Sequence, residues 1–202
     1  RTLDETVQWA MNFGGGGGFY TVKTLQIPFE ITSLAREVAA IKPKVIVEIG
    51  TARGGTLLIW SSIASDEVIT CDLQDMSRQG EVYRQFPAPG SRCKVTLLSG
   101  NSHEPSFKQR VAQALNGRKA DFMFIDGDHT VEGVTADFND YKEFVRPGGL
   151  IAFHDIVEKQ PLATNQVYHL WKTIKDKYQS QEFVNDRNQT GYGIGLLRMP
   201  NN

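Results

Sequence analysis

Two short segments concentrate groups that could move a proton or hold a cation. Asp126 is followed three residues later by His129, and His154 and Asp155 stand side by side further on. Each segment closes an apolar run that reads as a buried strand, ADFMFID and LIAFHD. Aspartates at the ends of neighbouring parallel strands can converge on one hard cation. A histidine beside such an aspartate needs little tuning to accept a proton near neutral pH. Magnesium prefers oxygen, so an imidazole ligand from His154 would move the preference toward manganese, iron or zinc. His154 could instead orient Asp155 or touch a substrate. Structural roles stand beside these. Asp126 could cap the following helix, Asp128 could act as an N-cap for the helix from Thr130, and His129 could be a hydrogen-bonded loop residue.

A second set of candidates sits in turns that follow other strands. In Glu48-Ile49-Gly50-Thr51-Ala52-Arg53-Gly54-Gly55 the glycines let the backbone pass close to a ligand and enter a helix tightly. Asp72 ends the next strand, 22 residues after Gly50, where an acid can accept both hydroxyls of a ribose. The turn Gly100-Asn101-Ser102 could face an adenine ring. Glu48, two residues before the first glycine, could meet the charged amino group of a methionine moiety. That last feature favours S-adenosylmethionine over a nicotinamide dinucleotide.

The elements that must place these residues alternate regularly. A short helix over 2–12 precedes the run Gly14 to Gly18, which reads as a loose loop or a lid. Pro28 suits a first helical turn, and Phe29, Leu34, Val38 and Ile41 recur at helical spacing. Strands follow at 44–49, 67–72, 93–98 and 120–126, with helices near 55–65, 104–116 and 131–145 between and after them. In the last of these helices Val134, Phe138, Tyr141 and Val145 share a face. Pro147-Gly148-Gly149 turns into a strand over 150–153, and a helix near 164–179 precedes closing strands near 182–185 and 192–198. Such alternation implies a mainly parallel sheet covered on both faces, and the closing pair, with no helix between, should be antiparallel. Ligands of such sheets bind outside the carboxyl ends of the strands. Trp9, Trp60 and Trp171 fall on apolar helical faces and read as core, while Tyr168 and His169 fall on the last helix without a site role.

With 202 residues and no linker or internal repeat, the chain reads as a single domain over 1–202, its first 27 residues an arm and a glycine-rich loop. The net charge of −1 disfavours a polyanion such as nucleic acid as partner. No run approaches the roughly 18 apolar residues of a membrane span. No charged-then-apolar leader follows Arg1, so a cytoplasmic location is expected, with Cys71 and Cys93 as buried free thiols rather than a disulfide.

The motifs together resemble the class I S-adenosylmethionine-dependent methyltransferases over nearly the whole chain. VIVEIGTARGG is similar to that superfamily's first motif and ITCDLQ to its second. SGNS resembles a Gly-Asp-Ser turn of its O-methyltransferases, with Asn101 in place of the acid. The stretch FIDGDHTVEGVTADFNDYKEFVRPGGLIAFHDI, with Gln26 to Glu30, resembles the cephalosporin-hydroxylase-like and macrocin-type sugar O-methyltransferases. Ala52 departs from the pattern where a second glycine is common.

The resemblance implies a Rossmann-like three-layer α/β sandwich with a mainly parallel seven-stranded sheet and an antiparallel edge strand. It implies S-adenosylmethionine held by Glu48, Gly50, Thr51, Gly54, Asp72, Gly100, Asn101, Ser102 and Asp126. It further implies a divalent metal, Mg or Mn, on Asp126 and Asp155 with His154, and His129 acting with Asp126 in catalysis. The expected acceptor is a small hydroxylated molecule, a sugar or natural product, and a homodimer is common among such enzymes. A non-catalytic S-adenosylmethionine-binding protein and a nicotinamide-dependent oxidoreductase are the competing readings. The acid and histidine set speaks against the first, Glu48 and the antiparallel ending against the second.

Overall fold

The computed structural model describes residues 2–12 and 22–201, so the Gly14 to Gly18 run lies outside the described residues. In chain order the elements are α1 (Leu3–Asn12), α2 (Pro28–Ala40), β1 (Val45–Ile49), α3 (Gly55–Ile63), β2 (Glu67–Asp72) and α4 (Gly80–Tyr83). They continue with β3 (Lys94–Ser99), α5 (Pro105–Leu115), β4 (Ala120–Ile125), α6 (Val131–Tyr141), β5 (Val145–His154), α7 (Val167–Ile174), β6 (Gln179–Phe183) and β7 (Ile194–Arg198).

One sheet runs β3-β2-β1-β4-β5-β7-β6. The first five strands are parallel, and β7 is antiparallel to both β5 and β6, which makes the expected antiparallel edge pair. The chain moves outward from β1 to β3 and then returns to β4 beside β1. This reversal leaves a crevice outside the carboxyl ends of β1 and β4.

Strand alternation builds a core on each face. Ile46, Val68, Phe122 and Phe124 pack with Ile31, Leu34 and Val38 of α2 and with Trp60 of α3. Val47, Ile69, Met123 and Ile125 face the other way, against Phe107, Val134, Phe138 and Trp171. Burial on both faces explains why the central strands read as continuous apolar runs. Trp60 and Trp171 are fully buried, as expected of core residues. Cys71 and Cys93 are buried free thiols; burial pushes the Cys93 thiol up to about 11 and the Cys71 thiol higher still, so both are inert.

Several boundaries differ from the sequence reading. Phe29 is 53% exposed, and the buried face of α2 is Glu30, Ile31, Leu34, Ala35 and Val38. α6 stops at Tyr141, a single 3-10 turn follows, and Val145 opens β5. Pro147-Gly148-Gly149 therefore lies inside a strand, as a bulge: Ala120 pairs with Val145 but Phe122 pairs with Leu150. Gly148, at φ 68, and a hydrogen bond from the Met199 N–H to the Gly149 carbonyl accommodate it. α7 is only eight residues long, and α4 is an unforeseen short helix anchored by buried Tyr83.

Candidate active site

The carboxyl ends of β2, β1 and β4 come together closely. The Gly50 N–H donates to the Cys71 carbonyl at 2.8 Å, and the Asp126 N–H donates to the Ile49 carbonyl at 2.8 Å. Gly50 has φ 99, and a Cβ there would lie 2.0 Å from the Asp126 carbonyl oxygen. Only glycine fits that crossing. A cleft of about 650 Å³ opens over it, bordered by Gly50, Asp72, Gly100, Asn101, Ser102, Asp126 and His129. Asp72 accepts the Ala52 N–H at 2.7 Å and the Gln74 N–H at 2.8 Å, which fixes its carboxylate on the cleft wall. Exposed Leu73 lines the cleft beside it. The Asn101 side-chain oxygen accepts the His103 N–H at 3.0 Å, so it is spent on shaping its own turn.

Three residues expected to touch a cofactor are placed behind the cleft wall. Glu48 has no exposure; it accepts the Trp60 indole N–H at 3.0 Å and the Thr70 hydroxyl at 2.6 Å. Strand alternation is the reason, since Glu48 points to the α3 face of the sheet and not out of its end. Burial raises its carboxyl to about 7, against the hydroxyls of Thr56 and Thr70. Thr51 is buried, its hydroxyl within 2.5 Å of that of Thr70. Gly54 caps α3 at φ 71 under the Tyr83 ring.

At the other end of the cleft the candidates of β4 and β5 do meet. One ligand atom from each of Asp126, His129, His154 and Asp155 lies within 4.8 Å of the others. The His129 Nε2 is 3.2 Å from Asp126 and 3.5 Å from Asp155; the His154 Nδ1 is 3.2 Å and 3.5 Å from the same two. Burial would raise the Asp126 carboxyl, but the His154 and His129 rings outweigh it and bring it to about 2. Burial likewise disfavours a charged His154, yet Asp126 and Asp155 raise it to about 9. The hydrogen bond to Asp126 raises His129 against its own partial burial. His154 is buried while His129 keeps 40% of its side chain exposed, so His129 is the ring open to the cleft.

A surrounding set of residues, of which only Gln26 lies in a segment the sequence marks, orients the two carboxylates. Gln26 Nε2 donates to Asp126 at 2.9 Å, and Asn165 Nδ2 donates to Asp155 at 2.6 Å. The Tyr192 N–H donates to Asp155 at 3.1 Å. Asp155 itself adopts φ 63, a strained conformation for a non-glycine residue that is held by these contacts. Two carboxylates and two imidazoles at this spacing, each carboxylate oriented by an amide donor, fit a divalent cation of mixed nitrogen and oxygen preference.

A family model described as a methyltransferase domain matches residues 47–156. Uncharacterized protein R132 of Acanthamoeba polyphaga mimivirus is 33% identical over 114 residues, which is 54% of this chain and 50% of that protein. MycE methyltransferase of the mycinamycin biosynthetic pathway, solved with Mg and SAH, superposes with a TM-score of 0.63 at 19% identity, over 100% of this chain and 54% of MycE. The chain thus spans about half the length of both. The O-methyltransferase from Bacillus cereus, solved with SAH, gives a TM-score of 0.61 at 18% identity, over 97% of this chain and 90% of that one. At such identities the structures establish the fold. The family match is of another kind, since it covers more than half of the chain and runs from the strand before Gly50 through both arms of the Asp–His cluster. On that span the chain belongs to the methyltransferase-domain family.

Proposed function

We propose that this domain transfers the methyl group of S-adenosylmethionine to a hydroxyl of a small molecule, a sugar or natural product, at a divalent ion held by Asp126, His154 and Asp155. The observation that carries this reading is the convergence of four ligand atoms within 4.8 Å at one end of a cleft whose middle holds Asp72. Asp72 accepts the ribose hydroxyls, and the turn at Gly100 to Ser102 faces the base. Gly50 lets the rest of the cofactor pass over the strand ends toward Asp126.

Transfer from a sulfonium is an in-line displacement from an already activated donor, so the protein's work is alignment and removal of the acceptor proton. His129 donates its Nε2–H to Asp126, which fixes the ring and its tautomer, and takes the acceptor proton on the other ring nitrogen, Nδ1. Gln26 and Asn165 keep the two carboxylates from rotating. A divalent ion bound by Asp126, His154 and Asp155 would supply a Lewis acid for the acceptor oxygen and would offset the negative charge of Asp126 and Asp155 that raises His129.

Titration calorimetry with S-adenosylmethionine, with and without Mg or Mn, tests the reading on the wild type and on Asp72→Ala. Micromolar binding weakened by Asp72→Ala, followed by metal-dependent turnover in an acceptor screen that Asp126→Asn abolishes, is the expected result. Absence of binding under every condition would overturn it.

A further inference from the structure

The turn after β3 faces a buried carboxylate whose nearest donors are Ser102 and His103. Asp137, on α6, has no exposure, and neither of its oxygens completes a hydrogen bond. A buried acceptor left so is destabilising, and more so when charged. It lies just behind the cleft: a Cβ on Gly127, a cleft residue, would be 3.5 Å from the Asp137 Oδ2. Its Oδ1 is 3.4 Å from the Nε2 of His103, another cleft residue, and that nitrogen is also buried without a completed bond. The pair is one small adjustment from a proper hydrogen bond, the kind that tightens when a ligand presses on the ring. The ring is already fixed at its root. The His103 N–H is held by Asn101, and the Tyr141 hydroxyl donates to the Ser102 carbonyl at 2.6 Å.

We infer that Asp137 fixes the tautomer of His103, and that His103 thereby reads the exocyclic amine of a 6-aminopurine in the cleft. The inference rests on the cofactor reading above and says which group selects the base. An imidazole that donates Nε2–H to Asp137 must present Nδ1 as an acceptor. Nδ1 is the nitrogen turned away from Asp137, on a side chain with 30% exposure. An acceptor there welcomes the N–H of adenine and opposes the carbonyl of a 6-oxopurine. Asn101 is unavailable for this because its oxygen is committed to the turn. Burial raises the Asp137 carboxyl to about 6, so at mildly alkaline pH it is an acceptor only and its choice of tautomer is unambiguous. Asp137 is a positioning residue, and His103 is the one that touches the base.

The test compares S-adenosylhomocysteine with S-inosylhomocysteine by calorimetry at mildly alkaline pH. Wild type should prefer the adenosyl compound by about tenfold or more, the worth of one well-placed hydrogen bond. Asp137→Asn offers an amide N–H to Nε2, drives the ring proton to Nδ1, and should cut or reverse that preference by about tenfold without a comparable fall in melting temperature. His103→Ala should remove the preference and leave nothing for Asp137→Asn to change in the double variant; it decides the matter alone if Asp137→Asn does not fold. A preference that survives in folded Asp137→Asn or in His103→Ala overturns the inference while leaving the cofactor reading intact. A wild type that binds neither compound overturns the cofactor reading, and the inference falls with it.

Discussion

Glu48, the residue before the last of β1, has no exposure and no ion pair among the described residues, and burial raises its carboxyl to about 7 from an ordinary 4.5. The folded chain therefore holds the proton more tightly than the unfolded chain. The stability this group contributes is full below about pH 4.5, falls as pH rises toward 7, and stays lost above it. The difference is on the order of 3 kcal/mol. Glu48→Gln keeps the neutral form at every pH. Its amide can donate to Thr70, whose hydroxyl then turns to Thr51, and Thr51 already reaches the Cys71 carbonyl at 3.2 Å. Denaturant unfolding should find the variant more stable than wild type by about 1–3 kcal/mol above neutral pH, with the two converging in acid. S-adenosylhomocysteine affinity should hardly change, because the side chain does not reach the cleft. A large loss of affinity would restore Glu48 to the binding surface and refute the buried assignment.

Among elements, the turn from β1 into α3 shows where a residue sits against its backbone. Ala52 has φ 45, the left-handed region that costs an L-residue roughly 1–2 kcal/mol. Its N–H is nevertheless needed by Asp72. Ala52→Gly removes the strain but frees the unfolded chain, so a net gain of about 0.5–1 kcal/mol and a rise of a few degrees in melting temperature are expected. No change or a fall would show that the turn relaxes without it. A longer-range case is Glu30, which accepts the Asn185 N–H at 3.1 Å, the Gln189 amide at 2.8 Å and the Gly193 N–H at 2.9 Å. It ties α2 to the β6–β7 loop, and that loop carries Tyr192 to Asp155. Glu30→Ala strands two backbone donors. It should cost roughly 3 kcal/mol, lower Mn affinity about 10-fold or more, and speed amide exchange over 185–193. Unchanged exchange there would break the link. The sequence showed the strands because two-sided burial gives β-branched runs, and it showed Asp126, His129, His154 and Asp155 because parallel strand ends are where ligands gather. It hid Asn165, and it marked Gln26 only as part of the Gln26 to Glu30 segment; their partners Asp155 and Asp126 are fixed by the way loops fold over the sheet edge and not by any local period. Glu30 left a trace that was legible in principle: it stands four residues before Leu34 and eight before Val38, inside the apolar stripe.

For the molecule as a whole, the sheet order forces two carboxylates together, and in the metal-free protein two imidazoles must neutralise them. Folded His154 is raised to about 9 from an ordinary 6.5, so the ion-pair stability it shares with Asp126 is full below about pH 6.5 and is lost as pH rises through 9. Asp126, lowered to about 2 from 3.8, sets the acid limit of the same interaction: that stability is present above about pH 3.8 and lost as pH falls through 2. The two shifts describe one attraction and are counted once, at on the order of 3 kcal/mol. A divalent ion takes over the neutralising role, needs deprotonated imidazole, and stabilises the folded state by mass action. Melting curves in chelator should therefore fall between about pH 6.5 and 9, while curves at saturating Mn should hold level or rise over the same range as His154 gives up its proton to coordination. In His154→Asn the fall in chelator should largely vanish, because the group whose deprotonation drives it is gone. Parallel declines with and without Mn would mean that the Asp–His cluster is a structural ion-pair network and that the metal belongs elsewhere or nowhere.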